Sequence, residues 1–430
     1  MSPARAFGML SALLPILITG ACASDENSDD SRAWVAVQDT IGDTVVVRTV
    51  SGSVWGDTAE LVPEVSIGLL DGPEEYMLGS IVSLARGADG TIYAMDRQVP
   101  ALRVYNADGT YRTTFGRPGD GPGEYESPDG GLNVLSDGRI LLRDPANARI
   151  QVYAPDGEPL DEWRIRGGFN TSARMIVDTL DRAHTIILLD MEADVMDWQS
   201  GLVQILPDGT PGDTLIPPDT GFEGSHIEAR FESEDGNSVS VNNVPFTPEE
   251  ATTLSPYGYF IHGISTDYTL TLDRPQGPLR ISKEFSPVPV AGGEKAEEEA
   301  FATRNMRMTE PGWRWDGDPI PDHKPPYRDF YAGEDGTVWV RVSQPAVKRD
   351  DPDYDSGEPD AIADEWHESY VFDVFDEDGR YLGAVRAPEG FRTHPRPIFT
   401  RESVLGTMRD EYDVQSIVRF GVEHPTEQAD

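Results

Sequence analysis

Between residues 80 and 165 the chain is written twice with the same spacing. Asp89 and Gly90 return as Asp137 and Gly138, Asp96 as Asp144, Tyr105 as Tyr153, and Asp108 and Gly109 as Asp156 and Gly157, each 48 residues on. Each copy consists of short apolar runs broken by Asp-Gly pairs. Such pairs mark tight turns between strands, because Asp hydrogen-bonds the backbone two residues on and Gly accepts a positive φ. Four short strands in a period of roughly 40 to 50 residues predict one blade of a β-propeller. A single unit of this kind leaves its faces uncovered, so the rest of the chain should supply neighbours like it.

The pattern extends in both directions. Thr114, Phe115 and Gly116, followed by Gly121, Pro122, Gly123, Glu124 and Tyr125, have a counterpart in Ser66, Ile67 and Gly68, followed by Gly72, Pro73, Glu74, Glu75 and Tyr76. Residues 63–68 therefore read as the last strand of a blade whose first three strands come from the carboxyl terminus. Full blades run over about 80–116 and 131–165, and a third has 186–190 as its second strand and Asp208-Gly209 as a later turn. Residues 217–243 are polar and acidic, which predicts a surface insertion. A fourth blade begins near Glu250 with its turn at Tyr257-Gly258. Residues 293–308 then carry a helix signal, expected as an excursion against the outside of the propeller. Asp335-Gly336 and Asp378-Gly379 mark a fifth blade that contains an acidic loop at 345–368, and three terminal strands near 398–399, 403–408 and 414–420 await a fourth.

The expected fold is thus all-β, a six-bladed β-propeller closed by pairing N-terminal and C-terminal strands, with one short helical excursion. Its domain plan is a signal peptide at 1–21, a tether at 22–32, an N-terminal hairpin and lead-in at 33–62, the propeller at 63–422 and a tail at 423–430. An apolar content of 38% suffices for a packed interior, and 42 Gly with 34 Pro suit a structure with many turns.

Charge and the amino terminus narrow the setting. Lys and Arg number 35 against 76 Asp and Glu, a net charge of −41 that repels polyanions and excludes nucleic acid as a partner. Spread along the chain, the excess predicts a solvated surface and a monomer. Arg5 precedes an apolar run at 6–18, too short for the roughly 20 residues that cross a bilayer, so it reads as the core of a signal peptide. Small residues stand directly before Cys22, the only cysteine, so the chain forms no internal disulfide. Residues 23–32 are rich in Ser, Asp and Asn and suit a flexible tether.

With the repeats in place, a resemblance can be named. The run from Gly116 to Tyr125, the blades in which Asp-Gly leads to Asp96 or Asp144 and then to Arg103-Val104-Tyr105 or Ile150-Gln151-Val152-Tyr153, and the ending from Phe372 to Gly383 resemble bacterial six-bladed β-propeller lipoproteins related to NHL repeats. Gly20-Ala21-Cys22 resembles a lipobox, although Thr19 stands where that motif usually has Leu. The resemblance implies lipidation at Cys22, export to the cell envelope on the outer-membrane or periplasmic side, and a non-catalytic platform for a protein, peptide or glycan. The alternative by analogy of fold is a metal-dependent hydrolase or lyase of the gluconolactonase type, whose propeller holds a divalent cation at the channel mouth.

Candidate ligand-binding residues are Asp96, Arg97, Arg103, Asp144, Asn147, Arg149 and Asp190, which recur at strand ends beside the loops joining second and third strands. Binding residues concentrate on such scaffolded loops. The competing structural role is that each Asp caps its own loop or pairs with the Arg of its blade, and its repetition from blade to blade favours that role. The Gly-rich run 116–123 lacks a following Lys-Ser or Lys-Thr and reads as a turn between blades. Asp351, Asp353 and Asp355 alternate like the start of a calcium loop, but the twelfth position is Ile362, so no EF-hand forms and at most a loose Ca2+ site remains; otherwise no cofactor is expected. Seven scattered His give no zinc motif, and no Gly-x-Ser-x-Gly elbow is present.

Overall fold

The computed structural model describes residues 16–18, 33–98, 101–165, 174–189, 199–233, 236–351, 354, 357 and 361–425. Among the described residues the chain is nearly all β, with one α-helix and many small sheets. Three of these are four-stranded antiparallel meanders in chain order. The first comprises Ile81–Arg86, Ile92–Asp96, Ala101–Tyr105 and Tyr111–Phe115; the second Leu132–Val134, Ile140–Asp144, Arg149–Tyr153 and Pro159–Arg164. The third comprises Ile176–Val177, Ala183–Leu188, Ser200–Ile205 and Pro211–Leu215.

Two larger sheets contain the same unit. Glu250–Leu254, Phe260–Ile264, Thr269–Leu272 and Leu279–Lys283 form a fourth meander; Tyr327–Ala332, Val338–Val342, Val371–Phe375 and Tyr381–Arg386 form a fifth. Beyond the fifth, Ile398–Phe399, Ser403–Arg409 and Gln415–Glu423 pair in turn, and Gln415–Glu423 pairs antiparallel with Ala59–Ile67, with Ile417 opposite Ile67 and Glu423 opposite Glu60. The strand predicted at 63–68 thus finds its three partners at the other end of the chain.

The amino-terminal segment does more than lead in. Val35–Ile41 and Thr44–Ser51 form the expected hairpin, and Thr44–Ser51 then lies parallel to Leu279–Lys283 on the outer edge of the fourth sheet. Ala59 and Glu60 pair with Val385 and Arg386 on the outer edge of the fifth. One strap therefore covers outer edges whose unpaired backbone would invite association with other chains.

The turns form for the reason their sequences suggest. Asp89, Asp137 and Asp335 each accept the backbone N–H two residues on, from Thr91, Arg139 and Thr337. Gly90, Gly138 and Gly336 follow at φ of 84°, 86° and 83°, where a Cβ is strained. In the third sheet Asp181 takes that backbone position at φ 58°, and Asp178 accepts from the N–H groups of Leu180 and Arg182.

Successive sheets bury apolar faces against one another. Tyr93, Met95 and Leu102 of the first meet Leu132, Ile140 and Leu142 of the second. Leu141, Ile150 and Val152 on the other face of the second meet Met175, Ala183 and Ile205 of the third. Further clusters join the fourth to the fifth, the fifth to the strands at the carboxyl end, and those strands back to the first.

Two expectations change. The insertion at 217–243 contains a regular hairpin, His226–Ser233 with Gly236–Asn243. Glu297 of the helix, Gly292–Thr309, accepts from the backbone N–H groups of Glu365 and Trp366. The helix also buries Ala302 and Met306 against that hairpin with Trp313 and Ile320, so these excursions share a small core of their own. The reason is that Ile227, Ala229 and Val244, isolated among polar neighbours in sequence, gather on one face of the hairpin. Cys22 and the signal segment lie outside the described residues apart from residues 16–18.

Truncation after Asp410 removes Gln415–Glu423 and leaves Ala59–Ile67 paired only through Ala59 and Glu60 with Val385 and Arg386. The expected result is loss of the cooperative thermal transition followed by circular dichroism, whereas truncation after His424 leaves it intact.

Candidate functional site

The sequence-predicted residues fall into two separate loop clusters. Asp96 is fully buried and accepts backbone N–H groups of Gly79, Ser80 and Gln98, with Arg103 at 3.8 Å. Arg103 also donates to the Glu74 carbonyl. In the second sheet Asp144 accepts from Glu126 N–H, Ser127 N–H and Asn147 Nδ2, with Arg149 at 3.8 Å. Arg149 donates to the carbonyls of Asp120, Gly121 and Glu124 and to Glu162. These Asp–Arg pairs hold the connections between sheets in place. Arg97 is exposed and uses its backbone N–H on Ser80, while Asp190 lies outside the described residues, as do Asp353 and Asp355 of the acidic loop.

A cavity of about 640 Å³ opens at the other end of the sheets. In the first sheet Asp96 lies opposite Ile81, whereas Arg86 lies opposite Ile92, so the two residues mark opposite ends of the innermost strand pair. The cavity is built from repeat positions. A backbone hydrogen bond closes the corresponding turn of each meander, from Gly87 to Thr91, Leu135 to Arg139, Asp178 to Arg182, Ser255 to Tyr259 and Gly333 to Thr337. The residues just before the donors are Arg86, Val134, Val177, Leu254 and Ala332, and all five line the cavity. The residues just after are Ala88, Ser136, Thr179, Pro256 and Glu334, which line it too.

Two residues in those rings break the pattern. Arg86 stands where four other sheets have apolar side chains, and Glu334 stands where the others have small or uncharged ones. They meet: Glu334 Oε2 accepts from Arg86 at 2.9 Å, and its Oε1 accepts from Arg174 at 2.9 Å. Arg396 also lines the cavity, donating to the Phe330 carbonyl with its guanidinium 4.5 Å from the Tyr331 ring centre. Arg174 and Arg396 further border a small void of about 10 Å³ beside Val82 and Ser83, room for one water. In a chain of net charge −41 three guanidinium groups thus converge at one mouth.

The remaining wall mixes apolar side chains with Asn133, Asp178, Asp181, Thr252 and Thr253. Ile176, Val177, Ile186 and Leu202 of the third sheet face Leu254 and Phe260 of the fourth across the cavity. No buried apolar cluster joins these two sheets among the described residues, unlike the other neighbouring pairs. Beneath this wall His184 Nε2 donates to Asp178 at 3.0 Å. Burial pushes the His184 imidazole below its ordinary value. Burial also opposes ionisation of Asp178, but hydrogen bonds from His184, Arg182 and Leu180 hold its carboxyl below the ordinary range. Among the described residues no group of three or more His, Cys, Asp or Glu side chains is placed to hold a metal ion.

No protein-family model matches the chain, and no curated protein matches it either. Among solved structures, a member of the DUF4221 family from Bacteroides vulgatus is similar at TM-score 0.44 and 8% identity, covering 86% of this chain and 99% of that one. A gluconolactonase from Xanthomonas campestris is similar at TM-score 0.36 and 13% identity over 95% and 96% of the two chains. Virginiamycin B lyase from Staphylococcus aureus gives 0.33 and 9% over 91% and 92%. At such scores and identities none of these likenesses decides the fold or the activity of this chain.

Repetition hid the cavity from sequence reasoning, because only the exceptions carry it. The available signal was the mismatch of Arg86 and Glu334 with their repeat counterparts. Arg174 gives no such signal.

Two outcomes are expected. Asp144→Ala strands the backbone N–H groups of Glu126 and Ser127 and leaves the buried Arg149 with Glu162 as its remaining carboxylate, and should cost about 3 to 5 kcal/mol in urea unfolding, while Arg97→Ala stays within about 0.5 kcal/mol. For His184 the folded state resists protonation and the unfolded state does not, so stability present above the ordinary value of 6.5 is lost as the pH falls below it. The drop in unfolding midpoint through that window should be smaller in His184→Gln. Asp178 adds a further loss below 3.8.

Proposed function

We propose that this chain is an exported, lipid-anchored, six-bladed β-propeller that acts as a non-catalytic binding platform, with its ligand seated in the cavity on the Asp-Gly turn side. Export rests on the signal-like segment 1–21, and anchoring on Cys22 followed by the tether to residue 32. The five meanders and the unit completed by Ala59–Ile67 are the six blades, and that pairing is the closure. The observation that carries the binding role is the cavity of about 640 Å³, a size typical of ligand pockets, with partly apolar walls and a few convergent charges at its rim. A peptide segment or the end of a glycan fits that volume, and the bulk of a partner would rest on the surrounding turns.

The charged groups at the rim are paired with one another and poised to orient a ligand. A further carboxylate of the lining, Asp181, accepts from the backbone N–H and the Oγ of Ser136. The alternative of a metal-dependent hydrolase or lyase, with Ca2+ as its ion, has its own readout below.

The test is thermal unfolding of the purified protein with peptides and glycans, with and without calcium after chelation. Ligands that bind only the folded state raise the midpoint. Those shifts are expected to vanish in Val134→Trp, which fills the mouth; shifts that persist there place the ligand elsewhere. A calcium-dependent rise that survives moderate salt, accompanied by lactone or ester hydrolysis, would overturn the non-catalytic role.

A further inference from the structure

We infer that the group recognised at this mouth is a carboxylate on an apolar body, and that Glu334 is its built-in stand-in, displaced from Arg86 and Arg174 when the ligand enters. The inference rests on the mouth being the binding site and adds the chemistry of what binds.

Glu334 has no part in making its turn. Asp335 accepts from the N–H and the Oγ1 of Thr337, and Glu334 contributes only its backbone N–H, to the Phe399 carbonyl. Turns of the same form are made with Ala88, Ser136 and Pro256 at this position, so the carboxylate is surplus to the fold. Arg86 is surplus to its own turn, since Val134, Val177, Leu254 and Ala332 occupy its place in other sheets, although its Nη1 also donates to Ser403 Oγ at 3.3 Å. Two departures from one repeat, 248 residues apart in sequence, meet in a single ion pair.

The geometry of that pair defines the ligand. Glu334 gives one oxygen to each guanidinium, both at 2.9 Å, so the two arginines are already set at the spacing a planar carboxylate spans. Glu334 is 35% exposed at its side chain and Arg86 27%, so the pair sits at the rim where a solvent-borne group can compete. Solvent screening keeps such a pair weak, and exchanging one carboxylate for another costs little. Arg396 offers a third guanidinium in the same cavity. The apolar wall of Ile176, Ile186, Leu202 and Phe260 adjoins this rim and supplies the burial that would tip the exchange towards the ligand. A multiply charged anion is disfavoured by the field of a chain at −41, whereas a singly charged carboxylate takes the place of Glu334 at the arginines while the freed Glu334, 35% exposed, turns to solvent.

The chemistry is shared by a peptide carboxyl terminus and by an aromatic or fatty acid. Calorimetric titration of the whole protein with N-acetyl-leucyl-phenylalanine and with phenylpropionate, each against its own amide, separates the two sources. The protein is expected to prefer each bound carboxylate to its amide. Glu334→Gln removes the internal competitor and should tighten carboxylate binding by about tenfold or more while leaving amides unchanged. Glu334→Asp, which withdraws the carboxylate by one methylene, should give a smaller gain and serves if the Gln variant folds poorly. Adding Arg86→Gln should abolish the preference.

Tighter binding of the dipeptide alone assigns the site to peptide termini, and of phenylpropionate alone to small acids. Equal binding of acid and amide in Glu334→Gln overturns the carboxylate assignment while leaving the mouth as a binding site. Absence of any carboxylate binding by Glu334→Gln at millimolar concentration overturns it as well. Binding that Val134→Trp does not affect overturns the location itself.

Discussion

Face-to-face burial between neighbouring four-stranded sheets is the constraint on which this structure depends. Each meander presents apolar side chains on both faces, and a sheet of four short strands has no means of covering either by itself. Ile92 and Ala94 of the first sheet point to one neighbour while Tyr93 and Met95 point to the other, as the two-residue period of a strand requires. The sheets must therefore succeed one another without a free face at either end of the chain. Pairing of Ala59–Ile67 with Gln415–Glu423 meets that need by bringing the terminal regions into one sheet.

Repetition also organises the polar interior. Asp96 and Asp144 each gather two backbone N–H groups from the connection that enters their sheet, and the following Arg braces the same connection through carbonyl oxygens. Buried charges are tolerated here because each carboxylate accepts backbone N–H groups and each guanidinium reaches at least one carbonyl oxygen of the same connection. At the opposite end of the sheets the repeat leaves a ring of apolar side chains, and exceptions to the repeat introduce charge into that ring. Arg86 and Glu334 are dispensable to their turns, so their presence must be explained by what they meet in space.

Much of the architecture was legible in the chain. Asp-Gly pairs located the turns at 89–90, 137–138, 335–336 and 378–379, because a side-chain bond to the backbone two residues on, made at the last of them by Asp376, and the positive φ are local requirements. The match of residues 63–68 with 114–116 disclosed an orphan strand, since a strand that carries a repeat signature demands three partners. The excursions were less legible: His226–Ser233 reads as polar and acidic, and its alternating Ile227 and Ala229 form a core only when the helix at Gly292–Thr309 brings Ala302 and Met306 to them. The site was least legible. Of the expected residues, Asp96, Arg103, Asp144, Asn147 and Arg149 hold their loops together, and the cavity lies at the far ends of the same strands.

By itself the sequence determined the repeat, the turn chemistry, the all-β character and the need for a terminal strand to be completed from the other end, because each follows from interactions within a few residues or from a period. Only the tertiary structure decided where charge would gather. Arg86, Arg174 and Glu334 come from three different sheets or their approaches, and Arg174 lies 160 residues from the carboxylate it shares with Arg86. Local propensity cannot encode such a meeting. It exists because stacked sheets carry the ends of their innermost strands to one place, and a carboxylate can bridge two guanidinium groups only when packing has fixed the distance between them.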